Sequence, residues 1–230
     1  MTMSKTIVVV GASRGIGRAI VDKLAQDTSS YIHALSRDLN KMSENFSAYP
    51  NVKCHAIDVS RSDVREQCDN IFDEIDSIDV VIYNAGKLVN KAFLELTRED
   101  LDESYNVNVI GAMQVSQSAI SKMTSGHIVN ISSMGGFQGS VKFPGLSAYS
   151  TSKAALCSFT ELFAEEYKDT DIKMNCLCLG AVQTEMLEEA FPGYQAPFTP
   201  EKMAEYISEF AMNAHQWMHG KIIPVSLSTP

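Results

Sequence analysis

The chain has 230 residues, a formal net charge of −9 at pH 7 and 45% hydrophobic residues. No Gly/Ser-rich or Pro-rich linker divides it, so we expect one well-buried domain over residues 1–230. The acidic balance argues against nucleic acid or an anionic membrane as a partner. No segment approaches the roughly 20 continuous apolar residues of a membrane span, and the amino terminus lacks a cleavable signal pattern.

The cysteines carry no metal or disulfide signature. There are five, an odd number without CxxC spacing: Cys54, Cys68, Cys157, Cys176 and Cys178. Cys176 and Cys178 lie in an apolar run, which favours buried free thiols over metal ligands. We therefore predict no metal site and a reduced, cytoplasmic protein.

The first elements predict a phosphate-binding turn. Thr6–Val10 is short, β-branched and apolar, which is typical of a buried strand, and a helical pattern begins at Arg18. Between them lies a glycine-rich segment, and a strand, glycine turn and helix in this order point backbone N–H groups at a phosphate. This order favours a dinucleotide site over an ordinary turn. The residues expected to form the site are Gly11, Ser13, Arg14, Gly15, Ile16 and Gly17.

The second strand, predicted over Tyr31–Ser36, bears on the choice of cofactor. The residue about 20 positions after the glycines meets the adenosine ribose in such folds, and counting from Gly17 reaches Arg37. Arginine suits the 2′-phosphate of NADP, and Arg14 could supply a second positive charge. We therefore favour NADP(H), with Ser36 and Arg37 at the ribose. The alternative is NAD(H), with Asp38 as the ribose contact.

The remaining elements continue the alternation of strands and helices. Further strands are predicted over 52–57, 79–83, 126–131, 172–179 and 221–225. Helices are predicted over 61–76, 97–123, 148–167 and 200–214. The segment 185–198 is predicted to form a short helix and a mobile loop. Thr97 and Asp100 have the spacing of a capping box. The pattern predicts a Rossmann-type doubly wound α/β/α sandwich with a mostly parallel sheet of about seven strands.

Tyr149 and Lys153 lie four residues apart on a predicted helix and therefore project from one face. An ammonium about 4 Å from a phenolate interacts by roughly 4 kcal/mol at an effective dielectric of about 20, which is worth about three pKa units. The phenol's pKa would then fall toward neutrality, where a general acid is useful. An exposed pair without a role has the same spacing. Asn108, in an apolar stretch, is either a helix-kinking residue or part of a polar relay.

Taken in order, these segments resemble the short-chain dehydrogenase/reductase family over essentially the whole chain. Four of the family's motifs are present: NAG at Asn84–Gly86, NxxG at Asn108–Gly111, the strand-end serines Ser132 and Ser133, and YxxxK at Tyr149–Lys153. Two more are present with one replacement each. The glycine motif at Val10–Gly17 has valine in place of threonine, and the PGxxxT motif at Leu179–Thr184 lacks its proline. Each motif is modest alone, and their combined order is specific.

The resemblance implies a reversible, NADPH-dependent reductase of a ketone or aldehyde. Tyr149 would donate the proton, and Lys153 would lower the phenol's pKa and hold the nicotinamide ribose. Ser133, favoured over Ser132, would bind the substrate oxygen, and Asn108 would hold a relay water.

The resemblance also implies the remaining contacts. Cofactor contacts are expected from Asp58, Val59, Asn84, Ala85, Gly86, Tyr149, Lys153, Gly180, Val182 and Thr184. Separately from the resemblance, the loop before Tyr149 and the segment after Met186 are candidate pocket positions for an apolar or aromatic substrate, although core packing or subunit contact would use the same residues: Phe137, Phe143, Met186, Phe191 and Tyr194. The family further implies a homodimer or homotetramer.

Three departures from the family pattern leave questions open. The interval from Ser133 to Tyr149 is longer than usual, so either the loop bulges or another group fills the serine's role. At position 10, valine lacks the threonine hydroxyl that usually ties the end of the first strand to the NAG segment. The last residues, Leu227–Pro230, lack the family's usual acidic-glycine tail. The alternatives in function are an NAD-linked alcohol dehydrogenase and a non-catalytic dinucleotide sensor or scaffold, which would not need the complete set of catalytic residues.

Overall fold

A computed structural model describes residues 4–227, so most of the tail Leu227–Pro230 lies outside the described residues. The strands in this range are β1 (Thr6–Val10), β2 (Tyr31–Ser36), β3 (Val52–Ala56), β4 (Val80–Tyr83), β5 (Ser125–Ser133), β6 (Asp171–Leu179) and β7 (Ile222–Val225). The α-helices are α1 (Gly15–Leu24), α2 (Leu39–Asn45), α3 (Val64–Phe72), α4 (Arg98–Tyr105), α5 (Gly111–Ile120), α6 (Ser147–Glu166), α7 (Glu185–Ala190) and α8 (Pro200–Asn213).

The strands form one parallel sheet in the order β3-β2-β1-β4-β5-β6-β7. The order reverses between β1 and β4, and in such sheets a ligand crevice opens beyond the carboxyl ends of the strands at this point. The predicted doubly wound α/β fold is therefore confirmed.

Helices cover both faces of the sheet, which explains why its central strands are apolar at successive positions. In β1, Ile7 packs into one core cluster with Ile20 of α1 and Ile207 of α8. The next residue, Val8, packs into the opposite cluster with Leu156 of α6. Strand residues alternate between faces, so a strand buried on both sides needs an unbroken apolar run.

Helix α2 was not predicted from the sequence. Asp38 caps it by accepting a hydrogen bond from the Lys41 backbone N–H at 3.0 Å. Met42 is the buried residue of this seven-residue helix, so the segment has no apolar periodicity to reveal it. The capping aspartate is its sequence signal.

The helix predicted over 97–123 is divided by a π-helical turn at Asn106–Ile110 between α4 and α5. Its predicted start is confirmed, since Thr97 and Asp100 form a capping box. The helix predicted over 61–76 is shorter, spanning Val64–Phe72. Among residues 4–227, no helix is both long and apolar enough to cross a bilayer.

Candidate active site

A cleft of about 760 Å³ opens at the carboxyl ends of the strands. It is lined by the glycine loop after β1 and by segments that follow β2, β3, β4, β5 and β6. Because parallel strands end on the same side, residues far apart in sequence meet here.

The glycine loop has the shape that a dinucleotide phosphate requires. Gly11 has a φ of +86°, and a Cβ there would lie 2.7 Å from the Ala85 backbone. A Cβ on Gly17 would lie 2.0 Å from the Gly11 oxygen, to which the Asn84 amide donates at 3.1 Å. Side chains are thus excluded from the turn, and its backbone stays open to a pyrophosphate at the start of α1. The residues present fit such a cofactor.

Although valine replaces the family threonine at position 10, hydrogen bonds still connect the end of β1 to the end of β4. Val10 is buried, and its carbonyl accepts a hydrogen bond from the Asn84 backbone N–H at 3.0 Å. Together with the Asn84 side chain on Gly11, this bond joins the ends of β1 and β4.

On the adenosine side of the cleft, the neighbouring side chains of Arg37 and Asp38 have different surroundings. Arg37 is exposed in the cleft, whereas the Asp38 carboxylate is engaged in capping α2. Burial raises the pKa of Asp58, but hydrogen bonds from Ser60 and the charge of Arg37 outweigh it and hold this pKa below its usual value. Arg14 forms an exposed ion pair with Glu189 at 2.8 Å.

Two serines at the end of β5 have different surroundings. Ser133 Oγ accepts a hydrogen bond from the Gly135 N–H at 3.1 Å and lies near enough to the Tyr149 phenol to lower its pKa. Ser132 is buried and donates to the Lys153 carbonyl at 2.9 Å, which ties β5 to α6. The structure therefore places Ser133, as the sequence favoured, beside the phenol.

The Tyr149–Lys153 pair differs from the prediction in its electrostatics. Burial raises the pKa of Tyr149, and the nearby Ser133 side chain offsets this only in part. The Lys153 Nζ donates to the Ile131 carbonyl at 2.7 Å and lies 5.9 Å from the Tyr149 ring centroid. Burial lowers the pKa of Lys153 to about 8. Burial of the phenol therefore dominates, and the pKa of Tyr149 is raised instead of being lowered toward neutrality as the spacing predicted.

Asn108 lies in the π-helical turn and is fully buried. Its Oδ1 accepts from the Lys87 backbone at 2.8 Å, and its Nδ2 donates to the Lys87 carbonyl at 2.9 Å and to Ser152 Oγ at 2.8 Å. A Cβ on Gly86 would lie 3.5 Å from Lys153 Nζ and 3.6 Å from Asn108 Oδ1. Asn108 therefore fixes the segment beside Lys153, and its water relay stays a prediction.

The long loop between Ser133 and Tyr149 is held by its own hydrogen bonds. Lys142 Nζ donates to the Gly135 and Phe137 carbonyls at 3.0 and 2.7 Å and to Ser140 Oγ at 2.6 Å. Val141 and Phe143 of this loop line the cleft together with Ser133 and Tyr149, so the additional length does not remove Ser133 from the site.

Of the five predicted substrate positions, four lie at the cleft, and their contact with a substrate stays a prediction. Phe143, Met186, Phe191 and Tyr194 line the cleft. Phe137 is the exception, because it packs instead against a group of buried cysteines.

The segment after β6 meets the glycine loop from the other side. A Cβ on Gly15 would lie 3.3 Å from Thr184, whose hydroxyl caps α7 by accepting from the Leu187 N–H at 3.2 Å. Gly180 approaches Ser226 so closely that a Cβ would lie 2.7 Å from its hydroxyl.

Nearly all the predicted site residues border the cleft. They are Gly11, Ser13, Arg14, Gly15, Ile16, Ser36, Arg37, Asp58, Val59, Asn84, Ala85, Gly86, Ser133, Tyr149, Lys153, Gly180, Val182 and Thr184. Gly17 and Asn108 lie behind the lining, where they support it. Sequence reasoning missed Ser60, Leu88 and Ser226, although each follows shortly after a strand and could have been found by that position.

Comparisons with known proteins agree with this geometry. A family model described as short chain dehydrogenase matches residues 5–195. The 3-oxoacyl-[acyl-carrier-protein] reductase FabG of Aquifex aeolicus is 32% identical, with 96% of each chain covered. The dehydrogenase/reductase SDR family member 6 of Xenopus laevis is 35% identical over 80% of this chain and 74% of that protein. A Burkholderia cenocepacia short chain dehydrogenase solved with NADP superposes with a TM-score of 0.86, at 23% identity and 96% coverage of both chains.

Proposed function

Because the chain belongs to the short-chain dehydrogenase/reductase family of oxidoreductases, we propose that it is an NADPH-dependent reductase of a ketone or aldehyde. The reaction would be reversible, with the alcohol as substrate in the other direction. The observation that carries the proposal is that Ser133, Tyr149 and Lys153 line the same cleft as a dinucleotide-shaped glycine loop.

The chain's own residues would bind and protonate the carbonyl oxygen. The nicotinamide supplies hydride when bound. Ser133 and Tyr149 would both hydrogen-bond the substrate oxygen, and Tyr149 Oη would donate its proton as negative charge develops there. The raised pKa of Tyr149 keeps this proton in place at neutral pH, which suits reduction. Lys153, together with a water near Asn108, would return a proton to Tyr149.

The preference for NADPH rests on the end of β2. Arg37 is exposed there, and it would form a charge-assisted pair with the 2′-phosphate, joined by Arg14. Asp38 supports the same choice, because its Oδ1 caps α2 and the residue does not line the cleft as Arg37 does. A structural neighbour solved with NADP is consistent with this choice.

The substrate side of the cleft supports an apolar or aromatic carbonyl compound. Phe143, Met186, Phe191 and Tyr194 line the same cleft as Tyr149. Apolar side chains at a site discriminate by shape and by burial of substrate surface rather than by charge.

The test is turnover with NADPH or NADH against a panel of diketones, quinones, aldehydes and oxoacyl thioesters. Tyr149→Phe should abolish turnover while leaving NADPH binding nearly unchanged, because it removes only the proton donor. Tyr167→Phe is the matched control, since this ring stacks on Phe163 elsewhere on α6 and should keep full activity. Unchanged turnover in Tyr149→Phe contradicts the mechanism. Faster turnover with NADH favours the NAD-linked alternative, and cofactor binding without turnover of any compound favours a sensor or scaffold.

We propose a homodimer or homotetramer in the cytoplasm, acting without nucleic acid or membrane. The proposed assembly is supported by exposed apolar side chains on four neighbouring elements. They are Leu101 on α4, Ile110 in the π-helical turn, Met113 on α5 and Leu162 on α6. The proposal of a reducing compartment rests on the odd number of cysteines without CxxC spacing. Light scattering of the purified protein would give the oligomeric mass, and a monomer would contradict the assembly.

A further inference from the structure

Three cysteine sulfurs converge behind the strand end that carries Ser133. Cys176 and Cys178 alternate along β6, so both side chains face α6, from which Cys157 projects. The Cys157 sulfur lies 3.9 Å from that of Cys176 and 3.5 Å from that of Cys178. All three sulfurs lie within 4.8 Å of one another, and all three residues are buried.

A fourth polar atom completes the cluster. Ser132 Oγ lies 3.4 Å from the Cys157 sulfur and near enough to Cys178 to affect the pKa of that thiol. In a tetrahedral Zn²⁺ site, bonds of about 2.3 Å to sulfur and about 2.0 Å to oxygen place ligand atoms roughly 3.5–3.8 Å apart. The separations measured from Cys157 to its three neighbours are therefore close to the edges of such a tetrahedron.

The charge of the surroundings also suits a thiolate site. Lys153 is buried next to the cluster and interacts electrostatically with all three cysteines. Three thiolates around one divalent cation carry a net charge of −1, which the Lys153 ammonium would offset. A buried charge is tolerated when it is compensated in this way.

We propose that Cys157, Cys176 and Cys178 bind one thiophilic d10 cation of the Zn²⁺ type, with the Ser132 hydroxyl as fourth ligand. Each thiol loses its proton to solvent as its sulfur–metal bond forms, so binding one cation releases up to three protons and strengthens with rising pH. The cation joins α6 to β6 and so stabilises the folded chain.

The test uses Cd²⁺, which gives an ultraviolet thiolate-to-metal absorption band, on the full-length, reduced, metal-free protein. We expect the band to saturate at one equivalent with an amplitude for three thiolates, the melting temperature to rise, and Zn²⁺ to remove the band by competition. Cys157→Ser should reduce the amplitude to two thiolates and weaken binding by about 100-fold or more. Cys54→Ala and Cys68→Ala are the matched controls, because these thiols lie outside the cluster.

A second measurement keeps the proposal testable if a cluster variant fails to fold. Wild-type protein is alkylated with and without Cd²⁺ under mildly denaturing conditions, and mass spectrometry identifies the protected thiols. Protection of Cys157, Cys176 and Cys178, with Cys54 and Cys68 reacting as before, supports the site. The proposal is overturned if no band forms at one equivalent, if the band depends on Cys54 or Cys68, or if the three cluster thiols are unprotected. All these readouts are independent of enzymatic turnover.

Discussion

At the scale of single residues, Arg37 and Asp38 show how neighbours at a strand end take different tasks. The Asp38 carboxylate accepts the Lys41 N–H at 3.0 Å and begins α2, whereas Arg37 is exposed at the cleft. An N-cap stabilises its helix by about 1 kcal/mol, so turning Asp38 toward a ribose would have a cost. The α2 cap is formed by the Asp38 side chain, so Arg37 could bind a 2′-phosphate without the loss of a helix cap.

Arg37→Ala should therefore weaken NADPH much more than NADH. A hydrogen bond to a charged group contributes about 1.5–3 kcal/mol, so the Kd for NADPH should rise about 10- to 100-fold, with that for NADH nearly unchanged. Fluorescence titration of both cofactors measures the difference. Arg98→Ala, which removes an exposed arginine paired with Asp102 on α4, is the control. Equal weakening of both cofactors would show that Arg37 does not contact the 2′-phosphate.

Residue identities and spacing predicted which side chains meet at Tyr149, but not their electrostatics. The four-residue spacing correctly placed Lys153 on the same helix face. It could not show that Lys153 Nζ bonds the Ile131 carbonyl at 2.7 Å or that burial would dominate the pKa of Tyr149. Both depend on how α6 packs against β5, which is a tertiary property.

At the scale of elements, the Lys142 side chain makes three of the hydrogen bonds that hold the loop between Ser133 and Tyr149. Lys142 Nζ bridges the Gly135 and Phe137 carbonyls and Ser140 Oγ. The loop places Val141 and Phe143 at the cleft. The length of the loop was evident from the sequence, whereas its closure by a lysine was not, because no local motif encodes that bond.

Lys142→Met keeps most of the aliphatic stem and removes all three hydrogen bonds, so it should loosen the loop. We expect the KM for the carbonyl substrate to rise about 3- to 10-fold, consistent with losing roughly 1 kcal/mol of loop order, with NADPH affinity unchanged. Steady-state kinetics and cofactor titration separate the two effects. Lys168→Met, which removes an exposed partner of Glu165, controls for loss of a surface charge. A change in NADPH affinity without a change in KM would contradict this role.

At the scale of the whole molecule, the sheet explains why so much of the site was predictable. Alternating strands and helices determine a parallel sheet, and a parallel sheet brings every strand end to one edge. Asp58 and the glycine loop follow strands and could therefore be placed at this edge from sequence order, whereas Thr184 was assigned through the family resemblance. The convergence of Cys157 with Cys176 was not predictable, because it depends on how α6 rests on β6. The π-helical turn at Asn108 was also not predictable from the sequence, because its apolar pattern resembles that of a continuous helix.

The same packing of helices on the sheet makes the stability of the chain sensitive to acid. His127 of β5 is fully buried, where its Nδ1 donates to the Ala211 carbonyl and its Nε2 accepts from the Asn175 amide, each at 2.9 Å. Burial lowers the pKa of His127 to about 4 from its ordinary 6.5. Between these values the unfolded chain binds a proton that the folded chain does not, so the free energy of unfolding falls as the pH falls.

From pH 7 to pH 4.5, His127 should remove about 2 kcal/mol of stability, since each unit of pKa difference is worth about 1.4 kcal/mol. His127→Gln keeps an amide that can donate and accept but cannot titrate, so its stability should decrease by about 2 kcal/mol less than that of the wild type. Urea unfolding at the two pH values measures both decreases. The pKa of His33 is also lowered to about 4 by burial, and His33 remains in the variant, so only the His127 contribution should disappear. Equal decreases in the two proteins would mean that His127 is protonated as readily in the folded chain as in the unfolded one.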